Sequence, residues 1–302
     1  MEKLSISLDW TPNINHIGFF IAHELGFYKE LNLEVEIIDP SSDNYSLTPA
    51  KKVELGLVDF ALCPTESVIS YRTKKKAFDL IAIASVLQED LSAIVVQADS
   101  KISSPKGLDG KTYSSYQARY EDAIVKEMIR NDGGIGDLKI IYPSKLGIWE
   151  GLLKGEADAS WIFMNWEGVE AEESEHSFSY FKMRDYGIPY SYSPVIVAGE
   201  KRAEEKRDAY RAFLQASKKG FLYPITEPAT SLSILEARIP EKDKSINLTK
   251  ALKETLPYFG DEKSWGRMED EQVKKFLDWI QAKGLENSQI ELAQLFSKEY
   301  LS

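Results

Sequence analysis

The first forty residues carry the apolar patterns of a strand, a helix and a second strand. Leu4–Leu8 has apolar side chains at every second position, which predicts a strand. His16–Leu25 has apolar residues at helical spacing and is followed by Gly26, a candidate C-cap residue. Leu33–Ile38 repeats a strand pattern. This order of elements is typical of a parallel α/β sheet.

Similar patterns recur along the chain. Strands are predicted at Val58–Leu62, Asp79–Val86, Leu91–Gln97, Lys111–Ser115, Leu138–Tyr142, Ala157–Ile162 and Ser193–Gly199. Two stretches, Val53–Leu62 and Leu152–Trp161, share a helix end, a glycine, an aspartate and a strand. The shared pattern predicts one supersecondary unit that is used once in each of two lobes, and it has no short fixed period that would indicate a solenoid.

The order of the elements predicts an α/β protein with two lobes. Lobe I is expected to comprise residues 1–94 and 196–302, with a long amphipathic helix at Ala203–Leu222 and a wholly helical tail from Ile225. Residues 95–195 form the inserted lobe II, joined by a hinge of two crossing strands near Val95 and Val195. Ligands of open α/β sheets bind beyond the carboxyl ends of the strands, so we expect an interlobe cleft.

Charge and composition exclude several classes of partner. The formal net charge is -11 and the pI is near 5.0, which argues against nucleic acid and anionic membranes. The basic run Arg72–Lys76 is interpreted as a solvated helix end. The chain has one cysteine, so it forms no intramolecular disulfide, and its three histidines lack a metal-ligand spacing. No metal or cofactor is predicted.

The amino terminus, MEKLSISLDW, has no basic segment followed by an apolar one. No apolar run approaches the roughly 20 residues of a membrane span. The sequence as written therefore predicts a cytoplasmic protein, and a periplasmic or cell-surface location is the alternative if a leader has been removed. A monomer is expected.

Polar and aromatic residues gather where the predicted strands end. The candidate ligand-binding residues are Trp10, Asn13, His16, Thr65, Glu66, Tyr116, Gln117, Asn165, Trp166 and Tyr190. Trp10, Tyr116 and Trp166 are expected to sandwich a flat ligand. Asn13, Thr65, Glu66 and Gln117 are expected to hydrogen-bond its edge.

Structural alternatives stay open for several of these residues. Trp10 could cap the core, Thr65 could be the N-cap of a helix, and Glu66 could complement the dipole of that helix. His16 could be satisfied locally at its helix start. The catalytic alternative pairs His16 with Cys63, but no third, orienting group is identified, so we predict a binding protein and not an enzyme.

The segment DWTPNINHIGFFIAHELGFYKELNLEVEII resembles the thiamine-pyrimidine-precursor family, also called the no-message-in-thiamine-like family. The pieces VDFALCPTESVISY, GLDGKTYSS, LLKGEADASWI and RAFLQASKKG extend the resemblance over roughly Leu4 to Gly220. The family includes nitrate-, taurine- and sulfonate-binding components of ABC transporters. The resemblance implies a type II periplasmic-binding-protein fold and an ABC transporter permease as a partner.

The resemblance also implies a ligand class. One branch binds formylated aminopyrimidines, and its WxPNxxH start matches Trp10, Pro12, Asn13 and His16. Another branch, the fungal pyrimidine synthase, holds pyridoxal phosphate on a lysine and sacrifices a histidine. This chain has Cys63 and Ser67 at those two positions and lacks the synthase's cysteine-rich run. We therefore expect a solute-binding protein for an aminopyrimidine or thiamine-precursor-like ligand, with a biosynthetic enzyme or a stand-alone cytosolic relative as alternatives.

Overall fold

The computed structural model describes residues 1–143 and 147–301, which fold into two compact units. The first unit comprises Met1–Asp90, Ser191–Lys274 and the segment from Ser288 onwards. The second comprises Leu91–Tyr190 and Lys275–Asn287. The sequence pattern assigned all of 196–302 to the first lobe, so the placement of Lys275–Asn287 differs from that expectation.

Strands and helices alternate along most of the chain. The strands are β1 (Glu2–Ser7), β2 (Leu33–Ile38), β3 (Phe60–Cys63), β4 (Leu80–Ser85), β5 (Ser92–Gln97), β6 (Lys111–Ser114), β7 (Leu138–Ile141), β8 (Ala159–Phe163), β9 (Phe178–Phe181) and β10 (Val195–Gly199). Of these, β9 was not predicted from the sequence. The helices of the first half are α1 (Ile17–Glu24), α2 (Phe27–Glu30), α3 (Pro49–Glu54), α4 (Thr65–Thr73), α5 (Glu121–Asn131) and α6 (Ile148–Leu153). The remaining helices are α7 (Val169–Glu172), α8 (Glu200–Glu205), α9 (Arg207–Leu222), α10 (Pro228–Glu236), α11 (Leu248–Phe259) and α12 (Asp270–Ala282).

Each unit contains one five-stranded sheet, and the two sheets have the same topology. The first sheet has the order β2-β1-β3-β10-β4, and the second has the order β7-β6-β8-β5-β9. In each sheet the first three strands are parallel and the fourth is antiparallel to both of its neighbours. The predicted α/β architecture is confirmed.

The two predicted hinge positions lie in strands that each pair within a single sheet. Val95 pairs with Ser160 and Tyr180 in the second sheet. Val195 pairs with Cys63 and Ser85 in the first. The hinge motion itself stays a prediction.

The repeated glycine–aspartate–strand pattern has a structural cause. The backbone N–H of Asp59 donates to the carbonyl of Ser5 at 3.2 Å, and its Oδ2 accepts the Ser5 N–H at 3.0 Å. Asp158 makes the same pair of bonds with Thr112, both at 2.8 Å. Each aspartate therefore ties the start of its strand to the neighbouring parallel strand. This confirms that one supersecondary unit occurs in each half.

Aromatic rings join helix α9 to the first sheet, and two glycines allow α9 to pack closely against α1. The ring of Phe213 on α9 stacks on Phe60 of β3 at 4.1 Å between centroids and on Tyr28 at 5.5 Å. Helix α9 also crosses α1 so closely that a Cβ on Gly220 would lie 2.0 Å from the carbonyl oxygen of Gly18. Only glycine permits that approach.

The prediction of a wholly helical tail is wrong for residues 283–301. Apart from the 3-10 turn Leu292–Gln294, the described part of this stretch is not helical. The Ala82 N–H donates to Leu295 O, and the Ser297 N–H donates to Ala82 O, both at 2.9 Å. The segment thus covers the edge strand β4. Hydrogen bonds to β4 satisfy backbone groups of the segment that would be satisfied within a helix if the segment were helical.

Residues 275–287 belong to the second unit because their side chains bond there. The Glu286 carboxylate accepts the Tyr120 hydroxyl at 2.9 Å and pairs with Arg119 at 2.9 Å. Lys283 pairs with Glu127. These partners all lie on or beside α5, and sequence spacing carries no information about such long-range pairs.

Two further expectations about the surface can be compared with the structure. The interpretation of the basic run as a solvated helix end is wrong for Arg72, whose side chain is only 6% exposed and pairs with Glu200 at 2.7 Å. Within the described ranges, no helix has both the length and the apolar character needed to cross a membrane.

Candidate ligand-binding site

One edge of the first sheet collects half of the candidate residues. Strands β1 and β3 are parallel neighbours, with Ser7 opposite Ala61. Strand β10 runs the other way and begins with Val195 opposite Cys63, the last residue of β3. The loops after β1 and β3 and the segment before β10 therefore meet at the same edge, and they carry Trp10, Asn13, His16, Thr65 and Glu66.

His16 is fully buried and is held by its own loop. The backbone N–H of Asn13 donates to Nδ1 at 3.2 Å, and Nε2 lies 2.8 Å from Oδ1 of Asp9. Because Nδ1 accepts a hydrogen bond, Nε2 carries the hydrogen and donates it to Asp9. Both ring nitrogens are occupied within the loop, which favours the structural interpretation of His16.

Asn13 has a similar role. Its Oδ1 accepts the Asn15 N–H at 2.9 Å and caps the 3-10 turn Ile14–His16. Its Nδ2 donates to the Thr11 carbonyl at 3.0 Å, and the residue is only 4% exposed. The geometry favours Asn13 as a residue that shapes the loop around Trp10.

Trp10 is half-buried and forms an aromatic corner with Tyr45. The two ring centroids are 6.0 Å apart, with an angle of 55° between the ring planes. Tyr45 has φ 58° and the preceding Asn44 has φ 54°. A tyrosine in the left-handed region costs about 1–3 kcal/mol and often marks a functional site. Tyr45 was not predicted as a candidate residue, because its loop has no periodic pattern of apolar residues that would indicate a helix or a strand.

Helix α4 begins one residue away from the expected position. Pro64 is the N-cap and Thr65 is the first helical residue, so the prediction of Thr65 as N-cap is wrong. Instead, both the N–H and the hydroxyl of Thr65 donate to the carbonyl of Tyr192, at 3.0 and 2.8 Å. Glu66 follows in the first turn and is 3% exposed, a position that suits both the dipole interpretation and a ligand contact.

Cys63 is a buried thiol at the end of β3. Burial raises the pKa of this thiol, and the negative charges of Asp9 and Glu66 add to the rise, although a hydrogen bond with Ser67 opposes it. The thiolate is the reactive form of cysteine, so this environment suppresses nucleophilic chemistry.

The second sheet repeats the arrangement at one of its own edges. Strands β6 and β8 are parallel neighbours, with Ser114 opposite Ser160. The residues that follow these strands are Tyr116, Gln117, Asn165 and Trp166. The ring of Tyr190, at the end of this unit's main segment, packs edge-on against Trp161 at 5.2 Å and against Phe276 at 5.1 Å.

Glu121 organises the loop that carries Tyr116 and Gln117. Its Oε1 accepts the Tyr113 hydroxyl at 2.8 Å and the Tyr116 N–H at 3.0 Å, and its Oε2 accepts the Ala118 N–H at 3.2 Å. Burial raises the pKa of this carboxyl, and the hydrogen bonds oppose the rise. Glu121 was not predicted as a candidate residue. Its position in the first turn of α5, just after a polar loop, could have indicated a carboxyl group that accepts hydrogen bonds from that loop.

The two candidates in this loop differ in environment. Gln117 is exposed and has φ 64°, and its N–H donates to the Ser115 hydroxyl at 3.0 Å. Tyr116 is half-buried, and its hydroxyl donates to the Trp161 carbonyl at 3.0 Å. Of these two candidates, Gln117 is therefore the more accessible one, and it has a backbone conformation that non-glycine residues rarely adopt.

Asn165 and Trp166 lie inside the π-helical turn Met164–Gly168, and each is 2% exposed. The Trp166 ring is thus packed among protein atoms, as a core residue would be, and its place in a sandwich around a flat ligand stays a prediction. Trp161, within strand β8, is also buried at 8% exposure. Among the described residues, no group of three or more His, Cys, Asp or Glu side chains is placed to hold a metal ion.

The family model described as NMT1/THI5 like matches residues 13–231, well over half of the chain. The chain belongs to the NMT1/THI5-like family. This confirms the resemblance that the N-terminal segment indicated.

Individual relatives cover nearly the whole chain. The formylaminopyrimidine-binding protein of Halalkalibacterium halodurans is 28% identical over 299 residues, covering 93% of this chain and 87% of the relative. The 4-amino-5-hydroxymethyl-2-methylpyrimidine phosphate synthase of Candida albicans is 24% identical over 273 residues, covering 86% and 78%. A solved Candida albicans gene product with the generic periplasmic-binding-protein fold has a TM-score of 0.71 at 13% identity, covering 99% and 97% of the two chains. The predicted periplasmic-binding-protein fold is confirmed.

Proposed function

We propose that this protein is a solute-binding protein that captures a small heteroaromatic ligand of the aminopyrimidine class. The observation that carries the proposal is the aromatic corner of Trp10 and Tyr45 at the same sheet edge as the buried carboxyl of Glu66. An aminopyrimidine has a flat face that can stack on a ring and an exocyclic amine that can donate to a carboxyl oxygen. The similarity to a formylaminopyrimidine-binding protein supports this ligand class.

The second unit supplies a further group of candidate contacts. Glu121 holds the loop of Tyr116 and Gln117, and Gln117 offers an exposed amide in a left-handed backbone. The sequence-based expectation that one ligand meets the loops of both units in a cleft stays a prediction.

The synthase alternative is less well supported. Its pyridoxal phosphate lysine and its sacrificed histidine correspond to Cys63 and Ser67 here, neither of which can take those roles. Burial raises the pKa of the Cys63 thiol, and both nitrogens of His16 are hydrogen-bonded within its own loop. We therefore propose binding without catalysis and without a cofactor.

An ABC transporter permease is the proposed partner if the bound solute is imported, and the protein would then act at the outer side of the membrane. A stand-alone cytosolic binder would need no such partner. Cross-linking of the protein in its native cells distinguishes these alternatives, because only the first predicts a covalent adduct with a permease.

Ligand binding is tested by isothermal titration calorimetry of a formylated aminopyrimidine, an alkanesulfonate and a dicarboxylate. Trp10→Ala should weaken aminopyrimidine binding roughly two- to tenfold, since an aromatic stack contributes about 0.5–1.5 kcal/mol beyond its buried area. Glu66→Gln should weaken it by about tenfold or more, because hydrogen bonds to charged groups contribute about 1.5–3 kcal/mol.

Glu36→Gln is the matched control, because it makes the same change at an exposed position on β2 and should leave the affinity unchanged. A wild-type protein that binds the sulfonate or the dicarboxylate but no aminopyrimidine would refute the proposed ligand class.

A further inference from the structure

Among the residues that the structure describes, two buried hydroxyl groups of the first unit have no hydrogen-bond partner. Ser191 is 1% exposed and Thr11 is 6% exposed. Within residues 1–143 and 147–301, neither the Ser191 Oγ nor the Thr11 Oγ1 makes a hydrogen bond. Buried hydroxyls in folded proteins are almost always hydrogen-bonded, so each such group calls for an explanation.

Both hydroxyls lie at the sheet edge that carries Trp10 and Glu66. Thr11 follows Trp10 in the loop after β1. Ser191 precedes Tyr192, whose carbonyl receives both hydrogen bonds from Thr65 at the start of α4. Since β10 begins opposite the end of β3, the segment that contains Ser191 meets the carboxyl ends of β1 and β3.

The backbone on either side of each hydroxyl is fixed. Next to Ser191, the Tyr192 hydroxyl accepts the Glu269 N–H at 2.9 Å, and the Pro194 carbonyl accepts the Val86 N–H at 3.1 Å. The Thr11 carbonyl accepts the Asn13 amide at 3.0 Å. These bonds fix the backbone positions from which the two hydroxyls project.

Other buried hydroxyls of the same unit show the usual arrangement. The Ser217 hydroxyl lies 2.9 Å from the Tyr28 hydroxyl, and the Thr255 hydroxyl donates to the Ala251 carbonyl at 2.7 Å. In this unit, buried hydroxyls such as those of Ser217 and Thr255, which lie in the core, have hydrogen-bond partners within the protein. Ser191 and Thr11 differ from them in this respect.

We propose that the hydroxyls of Ser191 and Thr11 are ligand-recognition groups, whose hydrogen bonds are completed by the polar edge of the bound aminopyrimidine. This inference rests on the proposed function and extends it to two residues outside the predicted set. A hydroxyl can donate to a ring nitrogen and accept from an exocyclic amine, whereas a carboxylate only accepts. Ser191 and Thr11 therefore add the donors that Glu66 cannot supply.

The test uses Ser191→Ala and Thr11→Val, which remove a hydroxyl with little change of volume. Each should lower the affinity for a formylated aminopyrimidine about tenfold, the loss expected when one buried hydrogen bond to the ligand is removed. The melting temperature of the ligand-free protein should stay the same or rise, because a buried polar group without a partner has been removed.

Ser217→Ala and Thr255→Val are the matched controls, because they make the same changes at buried hydroxyls that have partners. They should lower the melting temperature of the ligand-free protein and leave the affinity unchanged.

The outcomes separate this inference from the proposed function. If the wild type binds the aminopyrimidine and both variants bind it equally well, the inference is overturned and the proposed function stands. A lowered ligand-free melting temperature for both variants would also overturn the inference, since it would mean that the hydroxyls already have partners. If the wild type binds no aminopyrimidine, both proposals fail together.

Discussion

Glu121→Gln tests whether one buried carboxyl holds the loop of Tyr116 and Gln117. Three donors converge on this carboxyl, at 2.8, 3.0 and 3.2 Å. Glutamine keeps one acceptor oxygen and places an NH₂ group at the other position, so at least one backbone N–H loses its acceptor. An oxygen of the carboxyl group can accept that N–H whether or not the group is protonated, whereas the amide NH₂ cannot, and a buried N–H left without an acceptor costs about 1–3 kcal/mol. We therefore expect the unfolding free energy to fall by about 1–3 kcal/mol.

The pH dependence of this difference has a definite sign. Burial raises the pKa of Glu121 above its ordinary value of 4.5, so the folded state binds the proton more tightly than the unfolded state. The stabilisation from this group is complete below the unfolded pKa and is lost as the pH rises through the folded pKa. The glutamine variant lacks this titration. The stability gap between wild type and variant should therefore be largest near the ordinary value and shrink towards neutral pH.

Urea unfolding followed by tryptophan fluorescence, at several pH values between about 4.5 and 7.5, measures this gap. Glu156→Gln is the control, because this glutamate is exposed in the same unit. Its unfolding free energy should match that of the wild type at each pH. A gap between wild type and Glu121→Gln that widens with rising pH would refute the reasoning, because it would mean that the three donors outweigh burial.

Two further predictions concern the core of the protein. Cys63 is 5% exposed and burial raises its thiol pKa, so iodoacetamide should label it only after denaturation, and rapid labelling of the native protein would contradict this. Gly220→Ala should lower the unfolding free energy by about 3 kcal/mol, because the new Cβ would lie 2.0 Å from the Gly18 carbonyl oxygen. Gly151→Ala, the same change at a helical glycine with no atom within 4 Å, should raise it by about 1 kcal/mol, and equal effects of the two changes would refute this account.

Local patterns in the sequence determined most of the fold. The alternation in Leu4–Leu8 and the helical spacing in His16–Leu25 correspond to β1 and α1. The repeated aspartate found at 59 and 158 marked the unit that both sheets share. The first two features depend on residues within a single element, and the third depends on a repeated pattern. Both kinds of feature can be recognised directly in the sequence.

For the candidate residues, the sequence predicted positions next to strand ends. Trp10 follows β1, Glu66 lies in the first turn of α4 after β3, and Gln117 follows β6. Their contact with a ligand stays a prediction. The buried state of Trp166 and the occupied ring of His16 could not be predicted, because each depends on how a turn folds back on itself.

Long-range contacts decided the remaining features. Tyr45 meets Trp10 across 35 positions of sequence, and the Ser191 segment reaches the start of α4 only because β10 returns beside β3. The stretch 283–301 has composition compatible with a helix, yet it covers the edge of β4 because that edge offers backbone hydrogen bonds. Sequence by itself determined the elements and their order. The tertiary structure decided which side chains are buried and which of them are hydrogen-bonded inside the protein, because hydrogen bonding and burial are set by neighbours that are distant in the chain.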